Sequence, residues 1–162
     1  MNKVVLAYNF SPERLQMLRQ ACAVLKVNCK EVAPEQFDDA VGFLAGIKDC
    51  PREAVNPPEN REDELSEALK EAAGKTGEDP EVVKKAAGQM LRQASREEMV
   101  FLCGFDMHML NRFLAVVKRG KLKSIGMKAM LTPSNRSWSG RHLLQEIAAE
   151  HLYMKQFNKA MH

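Results

Sequence analysis

Apolar positions along the chain come in two rhythms, short unbroken runs and a helical spacing of three to four, and the two alternate. Residues 3–10 form a compact run rich in valine and aromatics, the length of a buried strand. Ser11, Pro12 and Glu13 then read as a helix start: the hydroxyl takes an orphan amide, proline suits the first helical position, and glutamate complements the dipole. Leu15, Leu18, Cys22 and Leu25 recur on one face of that helix. Residues 27–33 give a second, weaker strand whose lysine and glutamate suit a sheet edge. Pro34 opens a further predicted helix with Phe37, Val41, Leu44 and Ile47 turned inward.

Between residues 48 and 58 the pattern dissolves into a proline-rich loop. Two helical stretches with small apolar faces follow, forming a helical excursion at 58–94. Lys75-Thr76 within it lacks the glycine spacing and the leading strand of a phosphate-binding loop. Residues 98–105 return as a strong apolar run, followed by Asp106 as a cap and by Leu110, Phe113, Leu114 and Val117 on one helical face. A shift of 95 residues sets Val5 on Val100, Phe10 on Phe105, Ser11 on Asp106 and Leu15 on Leu110, as if one strand-cap-helix unit were used twice. Residues 127–131 form a last strand, ended by Thr132-Pro133, because proline lacks a ladder donor and restricts its predecessor. Leu143, Leu144, Ile147, Ala148 and Leu152 mark a final helix starting near Ser137 or Ser139.

This alternation predicts an α/β fold of three layers, about four mostly parallel strands in the order 2-1-3-4 with helices on both faces and a helical insertion. The length of 162 residues suits a single domain spanning 1–162. In a parallel sheet of that order the crevice for a ligand lies beyond the carboxyl ends of the strands, between the first and third. Asn9, Ser11, Asp106, Thr132, Asn135, Arg136 and Trp138 would then share one edge, with Asp106 facing Arg136 as an ion pair or ligand clamp. Arg136 beside a helix start favours an anion there, and Trp138, the only tryptophan, offers an aromatic wall.

The opening VLAYNFS with its leucine-bearing helix, the run MVFLCGF and the motif KAMLTPSNRSW together resemble an uncharacterised family of small bacterial proteins known as a domain of unknown function. The resemblance covers residues 3–33 and 96–150 and leaves the helical excursion outside. It implies no activity and carries over no catalytic residue. What it does imply is that the loop 132–138 is the family's mark.

Composition narrows the function classes. A hydrophobic content of 45% and a charged content of 28% fit a soluble globular protein, without an apolar run of membrane-spanning length or a signal peptide, so the expected address is cytoplasmic. Cys22, Cys29, Cys50 and Cys103 form no CxxC pair, and His108, His142, His151 and His162 lack metal-ligand spacing, so no metal or cofactor is expected. No nucleophile elbow, phosphate loop or paired carboxylates stand out, so no catalytic residue is assigned. Charge is uneven: residues 107–145 hold eight bases and no acid, while 31–71 hold twelve acids against four bases. The basic stretch lacks a nucleic-acid motif and interleaved aromatics. The expected function is non-catalytic binding of a small anionic ligand or protein segment by the strand-end loops. The alternatives are a homo-oligomer or scaffold using the 58–94 helices, and an enzyme with an unfamiliar constellation.

Overall fold

A computed structural model describes residues 3–57 and 80–161. In chain order its elements are β1 (Val4–Tyr8), α1 (Pro12–Leu25), β2 (Asn28–Glu31), a 3-10 turn (Pro34–Gln36), α2 (Val41–Leu44), α3 (Pro80–Ala94), β3 (Met99–Cys103), α4 (Met107–Lys118), a second 3-10 turn (Lys121–Ser124), β4 (Met127–Met130) and α5 (Gly140–Met161). The chain divides into two compact units, 1–56 with 97–140 and 57–96 with 141–162. Within the excursion, α3 accounts for its second half, and residues 58–79 lie outside the described residues.

The first unit is an α/β fold whose four strands lie in the order β2-β1-β3-β4. Two of the three pairings, β1 with β2 and β3 with β4, are parallel, but β1 runs antiparallel to β3. The order and the mostly parallel pairing are those the sequence predicts, and the antiparallel central pair corrects only the shared rim on which the expected ligand crevice rested. A crossover rule binds only connections that return directly to the sheet in parallel. The path between β2 and β3 is long enough to approach the sheet from either end, and nothing in its composition selects one.

The antiparallel centre makes the repeat visible as an approximate two-fold. In the central ladder Leu6 pairs with Phe101, its own counterpart under the 95-residue shift. Asn9 and Gly104, counterparts again, both leave their strands with positive φ, 65° and 76°. Each exit is followed by a capped helix: Ser11 Oγ accepts from the Arg14 amide (3.3 Å) and Asp106 Oδ1 from the Met109 amide (2.7 Å). Each helix returns to a parallel strand, and the ladders end alike, Val32 N on Ala7 O and Leu131 N on Leu102 O, both 2.9 Å. The second connection is longer because it carries the 3-10 turn Lys121–Ser124. An isolated antiparallel bridge then joins Ala40 to Ser139, the residues directly before α2 and α5. Residues 3–33 and 98–132 therefore share one connectivity.

Strands β1 and β3 are buried on both faces, which is why they read as apolar runs without alternation. Val5, Ala7, Val100 and Leu102 pack with Leu18, Cys22, Phe113 and Val117 of α1 and α4. Arg14 ties the two repeats together at one end, its Nε donating to Glu98 Oε2 (2.5 Å), Nη2 to Ser124 Oγ (2.9 Å) and Nη1 to Lys121 O (3.3 Å). On the opposite face Tyr8 meets Phe37 edge-to-face at 5.3 Å. In the second unit Ala87, Leu91 and Ala149 form a small buried cluster with Met90 and Leu152 against it.

The helix predicted from Pro34 onward is also corrected. Only one 3-10 turn forms, because Gln36 folds back to accept the Ala33 amide (3.2 Å) and Asp39 and Ala40 are drawn into bridges with Glu53 and Ser139. Helix α2 is a single turn, although Phe37, Val41 and Leu44 are buried as the apolar spacing requires.

Tyr8 carries its hydroxyl into this core, where Oη has no hydrogen-bond partner among the described residues, and burial, first, raises its pKa. An unpaired buried hydroxyl costs about 1–3 kcal/mol. Tyr8→Phe keeps the ring contact with Phe37, so urea unfolding is expected to show unchanged or higher stability, by up to about 1 kcal/mol. A loss of more than about 1 kcal/mol would mean that the hydroxyl has a partner in solution.

Candidate functional site

The loop 132–138 is built on one buried amide. Asn135 Oδ1 accepts the Thr132 amide (2.8 Å), Nδ2 donates to Met130 O (3.0 Å), and the Asn135 amide donates to Thr132 Oγ1 (3.1 Å). This turns the chain sharply once Pro133 has ended the ladder. The loop's carbonyls then satisfy the first amides of α2, which a one-turn helix cannot satisfy internally. Val41 N donates to Trp138 O (2.9 Å) and Gly42 N to Arg136 O (2.8 Å). Arg136 O also accepts from Cys50 Sγ (3.4 Å). A Cβ at Gly42 would stand 2.7 Å from Arg136 O and 2.8 Å from Cys50 Sγ, so glycine is what allows the close approach.

Helix α2 stops at a left-handed glycine, Gly46, with φ 88°. The amides of Gly46 and Ile47 return to Phe43 O and Gly42 O, both at 3.0 Å, the bonding expected when a helix ends on glycine. That stop aims Ile47 and Lys48 back toward β4. Between this segment and the loop opens a cleft of about 680 Å³. Val4, Ala45, Ile47, Leu131 and Pro133 give it apolar walls, and Lys48, Thr132 and Arg136 supply polar groups.

Arg136 reaches Asp49 through both terminal nitrogens at 3.4 Å. The pair is exposed, 41% and 72% for the two side chains, so solvent screening leaves it worth less than about 1 kcal/mol. An incoming anion can therefore compete for the guanidinium. A second cleft, about 480 Å³, lies beside the Ala40–Ser139 bridge, where Arg52 pairs with Asp39 at 3.1 Å.

Of the residues that the sequence singled out, the structure brings only Thr132 and Arg136 into the larger cleft. Asn135 lies beneath the loop with both ends of its amide engaged, and it holds the turn as a strut. Trp138 is half-buried and lines neither cleft. Asn9 and Ser11 are corrected outright: because β1 opposes β3, they leave the sheet at the other rim, where Asn9 Nδ2 donates to Glu97 O (3.1 Å). Asp106 does leave the same rim as Thr132, but its partner is the Met109 amide and not Arg136, whose carboxylate is Asp49. Lys48, Ile47 and Gly46 were missed. The signal was Gly46 itself, a helix stop two residues after Leu44.

The Asp106 carboxyl is held below its ordinary range chiefly by the Met109 amide, with Lys3 and His108 adding positive charge. A group whose folded pKa is depressed contributes stability that is whole above its unfolded value and is lost as pH falls through the folded one. Wild type is therefore expected to lose thermal stability relative to Asp106→Asn as the pH drops below about 4, the ordinary aspartate value being 3.8. Parallel melting curves across pH 3–7 would show a constant gap if the carboxylate were unimportant.

With the loop and its cleft in place, the comparisons bear on the same stretch. Residues 98–154 match the family described as Domain of unknown function (DUF3783). The DUF3783 match takes in β3, α4, β4, the loop 132–138 and the first part of α5, so the resemblance read from MVFLCGF and KAMLTPSNRSW holds there. The first repeat lies outside it, as does the Ala45–Lys48 wall of the cleft. No curated protein and no solved structure gives a significant match.

Proposed function

We propose that the protein binds a small organic anion in the cleft between the loop 132–138 and the segment 45–48. The observation that carries this reading is the pairing of two cations, Lys48 and Arg136, with an apolar floor of Val4, Ile47, Leu131 and Pro133. Such a site suits a ligand with a carboxylate or phosphate head and an apolar body, because few polar groups fix orientation while apolar walls supply area. Thr132 adds a hydroxyl whose oxygen already accepts the Asn135 amide, which leaves its proton to donate to the head group. The loop's backbone is pinned by α2, so little ordering is left to be lost on binding.

Thermal-shift screening with aliphatic carboxylates, sugar phosphates and nucleotides tests the reading. A true ligand at one hundred times its Kd adds about 2.7 kcal/mol of stability. Arg136→Ala is expected to weaken that ligand at least tenfold, about 1.4 kcal/mol, while leaving the unliganded melting point nearly unchanged because its ion pair is exposed. Stabilisation that survives Arg136→Ala would count against the site.

A further inference from the structure

Cys22 and Cys29 take no part in the cleft. Cys22 sits on the inward face of α1 and is buried, and Cys29, the second residue of β2, is half-buried. Val27 and Cys29 turn toward the face packed by α1, while Lys30 reaches the other side to Leu44 O (3.3 Å). Two contacts set helix against strand at this point: Val27 N donates to Cys22 O (3.0 Å), and Arg19 Nη1 donates to Cys29 O (3.2 Å). Residues 19 and 22 are one turn apart on α1, so Arg19 and Cys22 both lie against Cys29. Cys29 packs against the buried cluster that holds Cys22, so both thiols enter the same seam between helix and strand.

We propose that Cys22 and Cys29 are a two-electron redox pair that closes to an intramolecular disulfide when hydrogen peroxide reaches Cys29. The neighbouring Cys22 thiol, and then the charge of Arg19, hold the Cys29 thiol below its ordinary value against the opposing effect of burial. The neighbouring Cys29, together with burial, pushes Cys22 up. Cys29 is thus the nucleophile, since the thiolate is the reactive form and Cys29 is the more exposed of the two. Its sulfur attacks one peroxide oxygen, an S–O bond forms, the O–O bond breaks, and the departing hydroxide takes up the proton Cys29 released, leaving as water. The Cys22 sulfur then attacks the sulfenic sulfur, the S–S bond forms, and the expelled hydroxide accepts the Cys22 proton. Two thiols give up two electrons and the peroxide becomes two waters.

The remaining cysteines are internal references. Cys103 is fully buried, its thiol pushed up to about 12 by burial, and Cys50 is buried with its thiol on Arg136 O. Reduced full-length protein is treated with hydrogen peroxide, its remaining thiols are alkylated, and it is digested with trypsin, which cuts after Lys26 between the two cysteines. The expected product links peptides 20–26 and 27–30, about 2 Da lighter than their sum, returns to free thiols with dithiothreitol, and leaves Cys50 and Cys103 alkylated. Cys22→Ala is expected to stop Cys29 at a sulfenic acid that dimedone traps. Wild-type Cys29 that stays alkylatable, that advances to sulfinic acid without the linked peptides, or that pairs with a second chain would overturn the assignment.

Discussion

Phe101→Ala is expected to remove about 3–5 kcal/mol of stability, a large part of what a domain of this size has. Phe101 is fully buried at the centre of the sheet, paired with Leu6 where the two repeats meet. Neither neighbouring strand can move inward to fill the void, because β1 and β3 hold each other through a five-residue ladder and are flanked by β2 and β4. The lost ring therefore costs both its transfer energy and an open cavity. Urea unfolding should show a lower midpoint with the slope unchanged, which would separate a change in stability from a change in the unfolded ensemble. A loss below about 1 kcal/mol would mean that this position is not at the core of the fold.

Asn135→Ala is the second large effect, expected at about 2–3 kcal/mol. The substitution strands the Thr132 amide and the Met130 carbonyl, which the asparagine satisfies together. Its consequence for binding is out of proportion to its place, because Asn135 does not line the cleft itself yet sets the turn that presents Thr132 and Arg136. Aspartate should not rescue it: Oδ1 would still accept, but the other oxygen would face Met130 O with no proton to share. Glutamine should rescue part of it, because Gln36 closes the equivalent turn of the first repeat by accepting the Ala33 amide. Hydrogen exchange at Thr132 is expected to quicken in Asn135→Ala and to slow again in Asn135→Gln. Equal exchange in all three proteins would contradict the strut.

The local grammar of the chain was legible. Runs of valine, leucine and phenylalanine became the doubly buried strands β1 and β3, and the polar NCKE became the edge strand β2. Ser11 and Asp106 cap the helices that their positions announce. Even the repeat was visible, since Phe10 and Phe105 both follow a positive-φ strand exit, at Asn9 and Gly104. Strand direction was not legible, because apolar burial has no polarity along the chain and the long path from β2 to β3 carries no constraint on its end point. That single reversal moved Asn9 and Ser11 to the opposite rim and left Thr132 and Arg136 to a different set of neighbours. The new neighbours were concealed for a second reason. Ile47 looked like the tail of a helix and Lys48 like the start of a loop, and only the left-handed geometry at Gly46 turns them into a cleft wall.

The Asp49–Arg136 pair has a place in the same picture. An exposed carboxylate beside the guanidinium lowers the electrostatic attraction for a ligand without fixing Arg136 rigidly, so Asp49→Ala is a useful companion substitution. Residues 45–48 follow the first repeat and 131–136 close and follow the second, so the cleft is walled by the segments that leave the two repeats.

The most direct measurement is a backbone-amide NMR titration of the whole protein with hexanoate and, separately, with inorganic phosphate. The account expects shifts concentrated at residues 45–48 and 131–136, with residues 9–11 undisturbed because they leave the opposite rim of the sheet. Shifts centred on residues 9–11, or none at either wall for any anion that stabilises the protein, would contradict it.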